Sequence, residues 1–410
     1  MSAPPLSDVK VLDLTRLLPG GFCSLLLADL GAEVLKVEDT GMGDYVRWSP
    51  PYYGSDEQQG LGTRSALYLA LNRGKRSVRL DLKSEAGCEA FLRLVGSHDI
   101  VLDGFRPGVL DRLGVGFERM REANPAIVVG AITGYGQDGP NTARAGHDIN
   151  YLSLVGLLGL TGEKGGPPVS AAGQIADVNG GLMAAVGVLA GLNEARRSGV
   201  GQLVDISMAD GALSWLAMVA GQYLCDGNVP RRGEGVLSGG VACYRSYEAA
   251  DGWISCGALE PKFWAAFCNG AGRPDLLEEQ FAGPGSEGQE KIAEVFRSRT
   301  RDEWRAFNDE HDCCIEPVLD VDEALDSELV RAREMVVEVD QPGIGPVRLL
   351  GNPIKLSRTP GDPTRPAPAF GEHTEEVLRE AGYSEEEVAA MLDSGAAAGS
   401  DASGQPEFRA

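Results

Sequence analysis

Four residues whose side chains can donate or accept protons stand out in the middle of the chain. His147 is one of four histidines among 410 residues, and it precedes Asp148 at the head of an apolar run. Asp177 lies just before a long apolar segment, and Glu260 lies between a short apolar strand and a proline. An imidazole titrates near neutral pH and can act as acid or base, and a carboxylate can complete the pair. These residue types permit proton-transfer chemistry.

Each of these residues also has an ordinary structural interpretation. For Asp148 a helix N-cap is favoured, and His147 would then satisfy a backbone group. Asp177 occupies the usual place of an N-cap, although a helix N-terminus also stabilises a catalytic charge or a bound anion. Glu260 would be a common acid in the first turn of a helix. Spacing along the chain does not bring His147, Asp177 and Glu260 together, so both interpretations stay open.

Clustered basic residues are informative because the chain is acidic, with a formal net charge of −23. Arg73, Lys75 and Arg76 lie within four positions, and Arg106 lies in a turn after a predicted strand. Open parallel sheets bind ligands beyond the carboxyl ends of their strands. Cations at that edge could hold the phosphates of an anionic cofactor. The alternative is a solvated loop of charges.

Composition limits the expected partners and compartment. An acidic surface repels phosphate backbones and anionic lipids, so neither nucleic acid nor a membrane is expected as a partner. The eight cysteines form no CxxC pair and no Cys/His cluster with zinc spacing, which indicates free thiols and no metal site. Free thiols are typical of a reducing compartment, and we expect the cytoplasm. The N-terminus does not resemble a signal peptide, and no run of 18 apolar residues predicts a transmembrane helix.

The first predicted turn does not fit a dinucleotide site. Residues 17–22 read LLPGGF rather than G-x-G-x-x-G, so the glycine that admits a pyrophosphate is missing from its place. Glu38, which ends the second predicted strand, could hold a ribose, but a surface or loop position is favoured. The sequence also contains no Walker loop and no G-x-S-x-G elbow.

Alternating strand and helix signals in the first 140 residues predict an α/β fold with a parallel sheet and helices on both faces. The predicted strands are residues 9–14, 32–38, 77–83, 99–105 and 126–136. The predicted helices in this part are residues 20–31 and 84–98, and a longer helix is predicted over 175–199.

Several motifs together resemble the class III CoA-transferase family, also called CaiB/BaiF, and within it most closely the α-methylacyl-CoA racemases. They are LDLTRLLPGGFCSLLLADLGAEVLKVE, GFRPGVLDRLG, ITGYGQDGP, AGHDINYLSLVGLLG, IADVNGGLM, GALEPKFW and GEHTEEVLREAGYSEEEV. The resemblance extends over nearly the whole chain, and the combination of motifs is highly specific for the family.

The resemblance implies an interlocked homodimer. Each chain would have a large Rossmann-like domain and a small α/β domain, and the active site would lie between the large domain of one chain and the small domain of the other. The expected parts are the large domain in residues 1–205, linker helices in 206–240, the small domain in 241–312, a return linker in 313–345, a C-terminal part of the large domain in 346–393 and a disordered tail in 394–410.

The resemblance also implies a CoA thioester as substrate, with no other cofactor required. The residues expected to bind the CoA moiety are Arg73, Lys75, Arg76, Arg106 and Tyr151. His147, oriented by Glu260, would face one side of the carbon beside the thioester, and Asp177 would face the other. Backbone N–H groups near the helix that follows Asp177 would stabilise the enolate formed between the two proton transfers.

The leading hypothesis is therefore an isomerase of lipid metabolism that epimerises 2-methylacyl-CoA thioesters. The alternative is a CoA transferase that moves CoA between carboxylic acids through an aspartyl-CoA thioester on Asp177. A CoA-thioester binding protein without turnover is the least favoured reading. The family's acyl-pocket loop departs from the racemase pattern here, with Ser238 in place of an acid and Ala242 in place of a proline. The acyl group therefore stays open.

Overall fold

The computed structural model describes residues 3–54 and 64–400. Its strands are β1 (Lys10–Asp13), β2 (Glu33–Glu38), β3 (Lys75–Leu80), β4 (Ile100–Asp103), β5 (Val128–Thr133), β6 (Leu203–Ser207), β7 (Tyr244–Ala249), β8 (Gly252–Gly257), β9 (Ile315–Pro317), β10 (Val336–Gln341), β11 (Gly345–Leu350) and β12 (Ala397–Ala398).

The helices alternate with the strands in the first half of the chain and cluster in the second. They are α1 (Leu17–Asp29), α2 (Ala66–Asn72), α3 (Glu85–Val95), α4 (Val109–Arg112), α5 (Phe117–Ala123), α6 (Asp148–Leu154), α7 (Leu157–Leu160), α8 (Ile175–Ser198), α9 (Met208–Ser214), α10 (Ala217–Asp226), α11 (Pro261–Gly270), α12 (Glu287–Arg297), α13 (Arg301–His311), α14 (Val321–Leu325), α15 (Glu328–Ala332), α16 (Thr374–Glu380) and α17 (Glu385–Asp393).

The chain divides into two units. Unit 1 contains the described residues of Met1–Tyr151, Gln174–Ala212 and Glu328–Ala410, and unit 2 contains Leu152–Gly173 and Leu213–Ser327. The predicted small domain, residues 241–312, falls inside unit 2. Residues 152–173 also belong to unit 2, and β9, near the start of the predicted return linker, pairs with β8.

A seven-stranded sheet forms the centre of unit 1, in the order β12-β3-β2-β1-β4-β5-β6. All neighbours from β3 to β6 pair in parallel, whereas β12 runs antiparallel to β3. The prediction of a parallel sheet is confirmed. Helices cover such sheets on both faces, which explains why strands such as β4 and β5 are almost wholly buried. The strand order reverses between β1 and β4, and ligands bind at that switch point in doubly wound sheets.

The start of α8 can lie close against the start of α1 because the residue of α8 at the contact, Gly181, has no side chain. A Cβ added at Gly181 would come within 2.5 Å of the Pro19 carbonyl oxygen. This close approach places Asp177, in the first turn of α8, beside the turn that follows β1. By length and composition α8 could also cross a membrane, but half of its apolar window is buried inside the protein. Burial of that kind is typical of a core helix.

The C-terminal part of the chain corrects one prediction. Residues 394–410 were expected to form a disordered tail, but Ala397 and Ala398 form β12 and pair with Leu80 and Arg79 of β3. The apolar Ala396 and Ala397 are buried in the core of unit 1, which explains their order. Residues 401–410 lie outside the described part of the chain.

Unit 2 is built on an antiparallel sheet, β7-β8-β9, with α11, α12 and α13 packed on it. Its core is aromatic: the Phe267 ring stacks on Phe296 at 5.1 Å and contacts Trp304 at 6.1 Å. Thr300 and Glu303 form a capping box that starts α13. Glu260 is the N-cap residue of α11, so its position is fixed by the helix that begins at Pro261.

Candidate active site

A cavity of about 680 Å³ opens at the carboxyl ends of β1, β4 and β5. All of its lining residues belong to unit 1. They include the turn after β1 (14–20), the turn after β4 (104–107), the end of β5 with its turn (132–135), residues of the segment 142–151, Tyr45, Asp177 and Met208. The cavity therefore lies at the point where the strand order reverses, where this class of sheet binds its ligands.

Asp177 lies in the first turn of α8 and lines the cavity. Burial raises the pKa of its carboxyl to about 6, and the nearby charge of Asp148 acts in the same direction, while His147 opposes both. A carboxyl with that pKa exchanges protons readily at neutral pH, which an ordinary aspartate does not.

His147 lines the same cavity, immediately before α6. Its backbone N–H donates to the Asn150 side-chain oxygen at 3.0 Å, and its carbonyl oxygen accepts from the Asn150 N–H at 2.8 Å. These bonds fix the backbone, and the side chain is exposed. The structure thus brings His147 and Asp177 to the same cavity. Asp148, which directly follows His147, is 29 positions from Asp177 in the sequence.

Asp148 is the first residue of α6, but its side chain caps a different helix, α8. Its Oδ1 accepts hydrogen bonds from the backbone N–H groups of Ala176 at 2.6 Å and Asp177 at 3.2 Å, at the start of α8. The prediction that amides near this helix would bind an enolate needs correction. Those two amides are already engaged by the Asp148 carboxylate.

Tyr151 lines the cavity and packs edge-on against Tyr135, with ring centroids 5.1 Å apart. Its hydroxyl donates to the Gly146 carbonyl oxygen at 2.6 Å. Burial raises the pKa of this hydroxyl to about 12, and the charge of Asp177 adds to the rise, whereas Arg106 opposes it. Tyr151 therefore stays protonated and can supply a wall and a dipole to the cavity.

Of the four predicted phosphate-binding cations, the structure places Arg106 on the cavity wall. Arg106 is exposed, and no carboxylate within the described residues lies at ion-pair distance from it. Its position in the turn after β4 matches the prediction that ligands bind beyond the strand ends. An exposed guanidinium without an internal partner is available to an anionic ligand.

The other three cations require a correction, because their donors hold the protein together. The guanidinium of Arg73 is buried and donates two hydrogen bonds to Asp29, at 3.0 and 2.7 Å. Lys75 is buried, and its ammonium contacts Asp13 at 3.2 Å and Ser24 at 2.7 Å. Burial lowers the pKa of Lys75 to about 8.

Arg76, on the next position of β3, forms ion pairs with Glu33, Glu376 and Glu380. Alternate residues of a strand point to opposite faces, so neighbours in sequence separate in space. The three cations of 73–76 thus do not form one phosphate site.

Two further cations line the cavity and were not selected from the sequence, Arg16 and Arg144. Arg16 donates to the Tyr45 hydroxyl at 2.9 Å and to Asp39 at 2.7 Å. Arg144 donates to the Asn141 side chain at 3.2 Å. The rule that ligands bind after strand ends could have selected Arg16, because it follows β1. The proximity of Arg144 to His147 in the same motif was the other available signal.

A buried set of charges supports the floor of the cavity. Lys36 pairs with Asp44 at 2.8 Å and donates to the Thr15 carbonyl oxygen at 3.0 Å. Asp44 in turn accepts from the Leu17 N–H at 3.0 Å. Leu17 has a φ of 61°, which is unfavourable for a residue with a side chain, so these bonds hold the turn after β1 in a strained form.

Glu38 belongs to this buried layer rather than to the surface, which corrects the favoured interpretation. Its carboxylate accepts two hydrogen bonds from Arg47, at 2.8 and 2.6 Å. The Arg47 charge helps to hold the pKa of Glu38 low, at about 2, against the effect of burial. Glu38 has no free acceptor role toward a ribose in this arrangement.

Glu260 lies in unit 2, where it is exposed at the start of α11. Its carbonyl oxygen accepts from the N–H groups of Phe263 and Trp264, while its side chain makes no capping bond. Its partnership with His147 stays a prediction. Residues 3–54 and 64–400 contain no group of three or more His, Cys, Asp or Glu side chains arranged to hold a metal ion.

Comparison with known proteins identifies the family. A family model described as CoA-transferase family III matches residues 6–374. Succinyl-CoA:mesaconate CoA-transferase of Haloarcula marismortui is 36% identical over 386 residues, which are 92% of this chain and 96% of the relative. Alpha-methylacyl-CoA racemase of Mus musculus is also 36% identical, over 395 residues, which are 93% of this chain and 95% of the relative.

The fold agrees with a solved structure. A crystal structure of a CAIB/BAIF family protein from Brucella suis matches with a TM-score of 0.80 and 30% sequence identity, covering 93% of this chain and all of that one. Racemases and transferases are equally similar to this chain, so identity alone does not separate the two reactions. Because the family model and both relatives span most of its length, the chain belongs to CoA-transferase family III.

Proposed function

We propose that the protein epimerises 2-methylacyl-CoA thioesters by moving a proton between the two faces of C2. The observation that carries this proposal is that His147 and Asp177 line one cavity, with the pKa of Asp177 raised to about 6. A two-base inversion starts with one group protonated and the other not. Imidazoles as a class titrate near neutral pH, and Asp177 has been moved toward that range.

The proposed epimerisation takes one proton from C2 and returns another to its opposite face. In one direction His147 removes the C2 proton, and the C–H electron pair forms an enolate whose charge rests on the thioester oxygen. Protonated Asp177 then gives its proton to the opposite face of C2. In the reverse direction Asp177 is the base and protonated His147 the acid. No bond to sulfur changes and no electron is gained or lost, so the transfers balance without a metal or redox group.

The enolate oxygen requires donors other than the first amides of α8. We propose the N-terminus of α1, which lines the cavity through Leu18, Pro19 and Gly20. The N-cap residue of α1, Arg16, makes no side-chain capping bond. Asp44 already accepts the Leu17 N–H and Pro19 has no N–H, so the donors that we propose for the developing negative charge are the backbone N–H groups of Leu18 and Gly20.

The CoA moiety would be held by Arg106 and Arg144. Both are exposed on the cavity wall, and neither has a carboxylate partner among residues 3–54 and 64–400. CoA carries several phosphate charges, and the chain as a whole, at −23, repels it. Local cations must therefore supply the attraction, and guanidinium groups bind phosphates with good geometry.

We propose further that the site is completed by a second copy of the chain, as in the interlocked homodimer expected from the sequence. Within the described part of its own chain no carboxylate lies at ion-pair distance from His147, while the Glu260 side chain is exposed. Large apolar side chains, including Trp215, Met218 and Leu224, are exposed on and near α10. Contiguous exposed apolar surface is typical of protein interfaces.

A class III CoA transferase is the second candidate. In that reaction the Asp177 carboxylate attacks the thioester carbonyl, CoA leaves as a thiolate, and the thiolate then attacks the resulting anhydride to give aspartyl-CoA and a free acid. The observation in its favour is Arg144, a cation on the wall of the cavity whose side chain bonds to Asn141 rather than to a carboxylate of the described residues, and which therefore suits a second carboxylate on the acyl group. An apolar 2-methylacyl chain has no need of this charge.

Isotope exchange separates the two reactions. A single epimer of a 2-methylacyl-CoA is incubated with the enzyme in D₂O without an acceptor acid. Deuterium at C2 together with loss of optical purity supports the epimerase. Absence of exchange, together with a CoA–protein adduct that hydroxylamine traps, contradicts it and supports the transferase. Binding of the thioester with neither outcome would leave a binding protein without turnover.

A further inference from the structure

Asp148 connects the two helices that carry the reacting groups. Although it begins α6, its Oδ1 accepts the N–H groups of Ala176 and Asp177 at 2.6 and 3.2 Å. The residue that would normally cap α8, Gln174, makes no side-chain capping bond. The positive end of a 24-residue helix is thus neutralised by a carboxylate from another part of the chain.

Consecutive residues therefore fix both reacting groups. His147 is held by its two backbone bonds to Asn150, and Asp148 is bonded to the backbone of Asp177 itself. One dipeptide and two hydrogen bonds thus contribute directly to the placement of Asp177 relative to His147. Small errors in such placement reduce reaction rates strongly.

Asp148 acts on Asp177 in two ways, through its hydrogen bond to the backbone and through its negative charge. The charged and titratable groups whose fields reach the Asp177 carboxyl are Asp148, His147 and Tyr151. After burial, Asp148 is the main cause that raises the pKa of Asp177, and His147 opposes it. A neutral asparagine could make the same two capping bonds without this effect, so the choice of aspartate has a chemical consequence.

We propose that Asp148 is a positioning residue: its two hydrogen bonds hold the first turn of α8, and with it the Asp177 carboxyl, in the cavity lined by His147, and its negative charge acts on that carboxyl. The inference rests on the proposed function, because Asp177 must exchange protons for the positioning to matter. Asp148 does not line the cavity, so it acts through Asp177 rather than on the substrate.

Two variants separate the hydrogen bonds from the charge. Asp148→Asn keeps an oxygen for the two amides and removes the charge, whereas Asp148→Ala removes both. Asp362→Asn is the matched control, because Asp362 also accepts a backbone N–H, from Thr364 at 3.0 Å, and lies away from the lining of the cavity. The readouts are the pH profile of kcat/KM and an NMR titration of the ¹³C-labelled aspartate carboxyls, with Asp177→Asn identifying the Asp177 signal.

In Asp148→Asn we expect the pKa of Asp177 to fall below about 6 and the acidic limb of the pH profile to move with it. In Asp148→Ala we expect kcat to fall by roughly 10- to 100-fold at every pH, with KM little changed. Asp362→Asn should match the wild type in both readouts. An unchanged Asp177 titration in Asp148→Asn overturns the inference, as does an Asp148→Ala enzyme with the kcat of Asp148→Asn.

The NMR titration needs no substrate, so it also separates this inference from the proposed function. If the wild type exchanges no C2 proton while the Asp177 signal still shifts in Asp148→Asn, the epimerase proposal fails and the link from Asp148 to Asp177 stands. If Asp148→Ala does not fold, the asparagine variant and the control still decide the question.

Discussion

Replacement of Asp177 by asparagine should stabilise the protein while it removes activity. The fold raises the pKa of this carboxyl from 3.8 to about 6, so the folded state binds its proton more tightly than the unfolded chain. At about 1.4 kcal/mol for each pKa unit, ionisation at neutral pH costs the fold about 3 kcal/mol. Asp177 is half-buried, and solvent screening reduces this to roughly 1–2 kcal/mol.

The helix dipole opposes part of this gain. A negative charge in the first turn of α8 is worth roughly 0.3–1 kcal/mol, which Asp177→Asn gives up. The two amides at the start of α8 are already paired with Asp148, so the dipole contribution lies at the lower end of that range. The net expectation at pH 7.5 is an increase of about 1 kcal/mol in the free energy of unfolding.

The stabilisation expected from Asp177→Asn should depend on pH. Because the folded-state pKa is raised, the contribution of Asp177 to stability is fully present below about pH 4 and is lost as the pH rises through 6. Urea unfolding should therefore show no advantage of Asp177→Asn at pH 4 and a growing advantage up to pH 7.5. Glu85→Gln, which neutralises an exposed acid in the first turn of α3, should be slightly destabilising instead. An Asp177→Asn variant that is less stable than the wild type at pH 7.5 would refute the reasoning.

The other predictions concern proton transfer and the cations. His147→Ala should slow deuterium uptake at C2 by roughly 10²- to 10⁴-fold, measured by mass spectrometry, and uptake at the wild-type rate would remove His147 from the reaction. Arg106→Ala should raise KM for CoA thioesters more than it lowers kcat, whereas Arg76→Ala should leave both unchanged in steady-state kinetics. Arg73→Ala leaves Asp29 buried without its partner and should lower the free energy of unfolding by about 3–5 kcal/mol in urea, with KM unaffected in the remaining folded enzyme.

Local pattern was enough to predict the parallel sheet. Strands such as β4 and β5 are buried on both faces, so they appear in the sequence as short continuous apolar runs. Start and stop signals located the helices to within a few residues, as with α3 after Ser84. The strand β12 has no such signal: its two residues are alanines, and only pairing with β3 makes them a strand.

The basic cluster of 73–76 shows what the sequence does not contain. A run of cations can bind a ligand only if no carboxylate of the protein already pairs with it. Here the pairing carboxylates lie far away in the sequence. Asp29 is 44 positions from Arg73, and Glu380 is 304 positions from Arg76. Neither distance can be inferred from spacing. Asp148 shows the same limit. Its sequence predicts a helix cap, but spacing does not reveal that the helix it caps is α8.

A racemase and a transferase are equally similar in sequence to this chain, and the proposed role of Asp177 offers a reason. In the proposed roles both reactions use the Asp177 carboxyl beside a CoA thioester, and the difference lies in whether its oxygen exchanges a proton with C2 or attacks the carbonyl carbon. The C2 proton and the carbonyl carbon are two bonds apart, so under the proposed roles we expect a small rotation of the first turn of α8 to change which of them the carboxylate meets. In this chain that turn is fixed by Asp148 and by the contact of Gly181 with α1. The reaction type should therefore depend on a few contacts around α8 rather than on the overall fold.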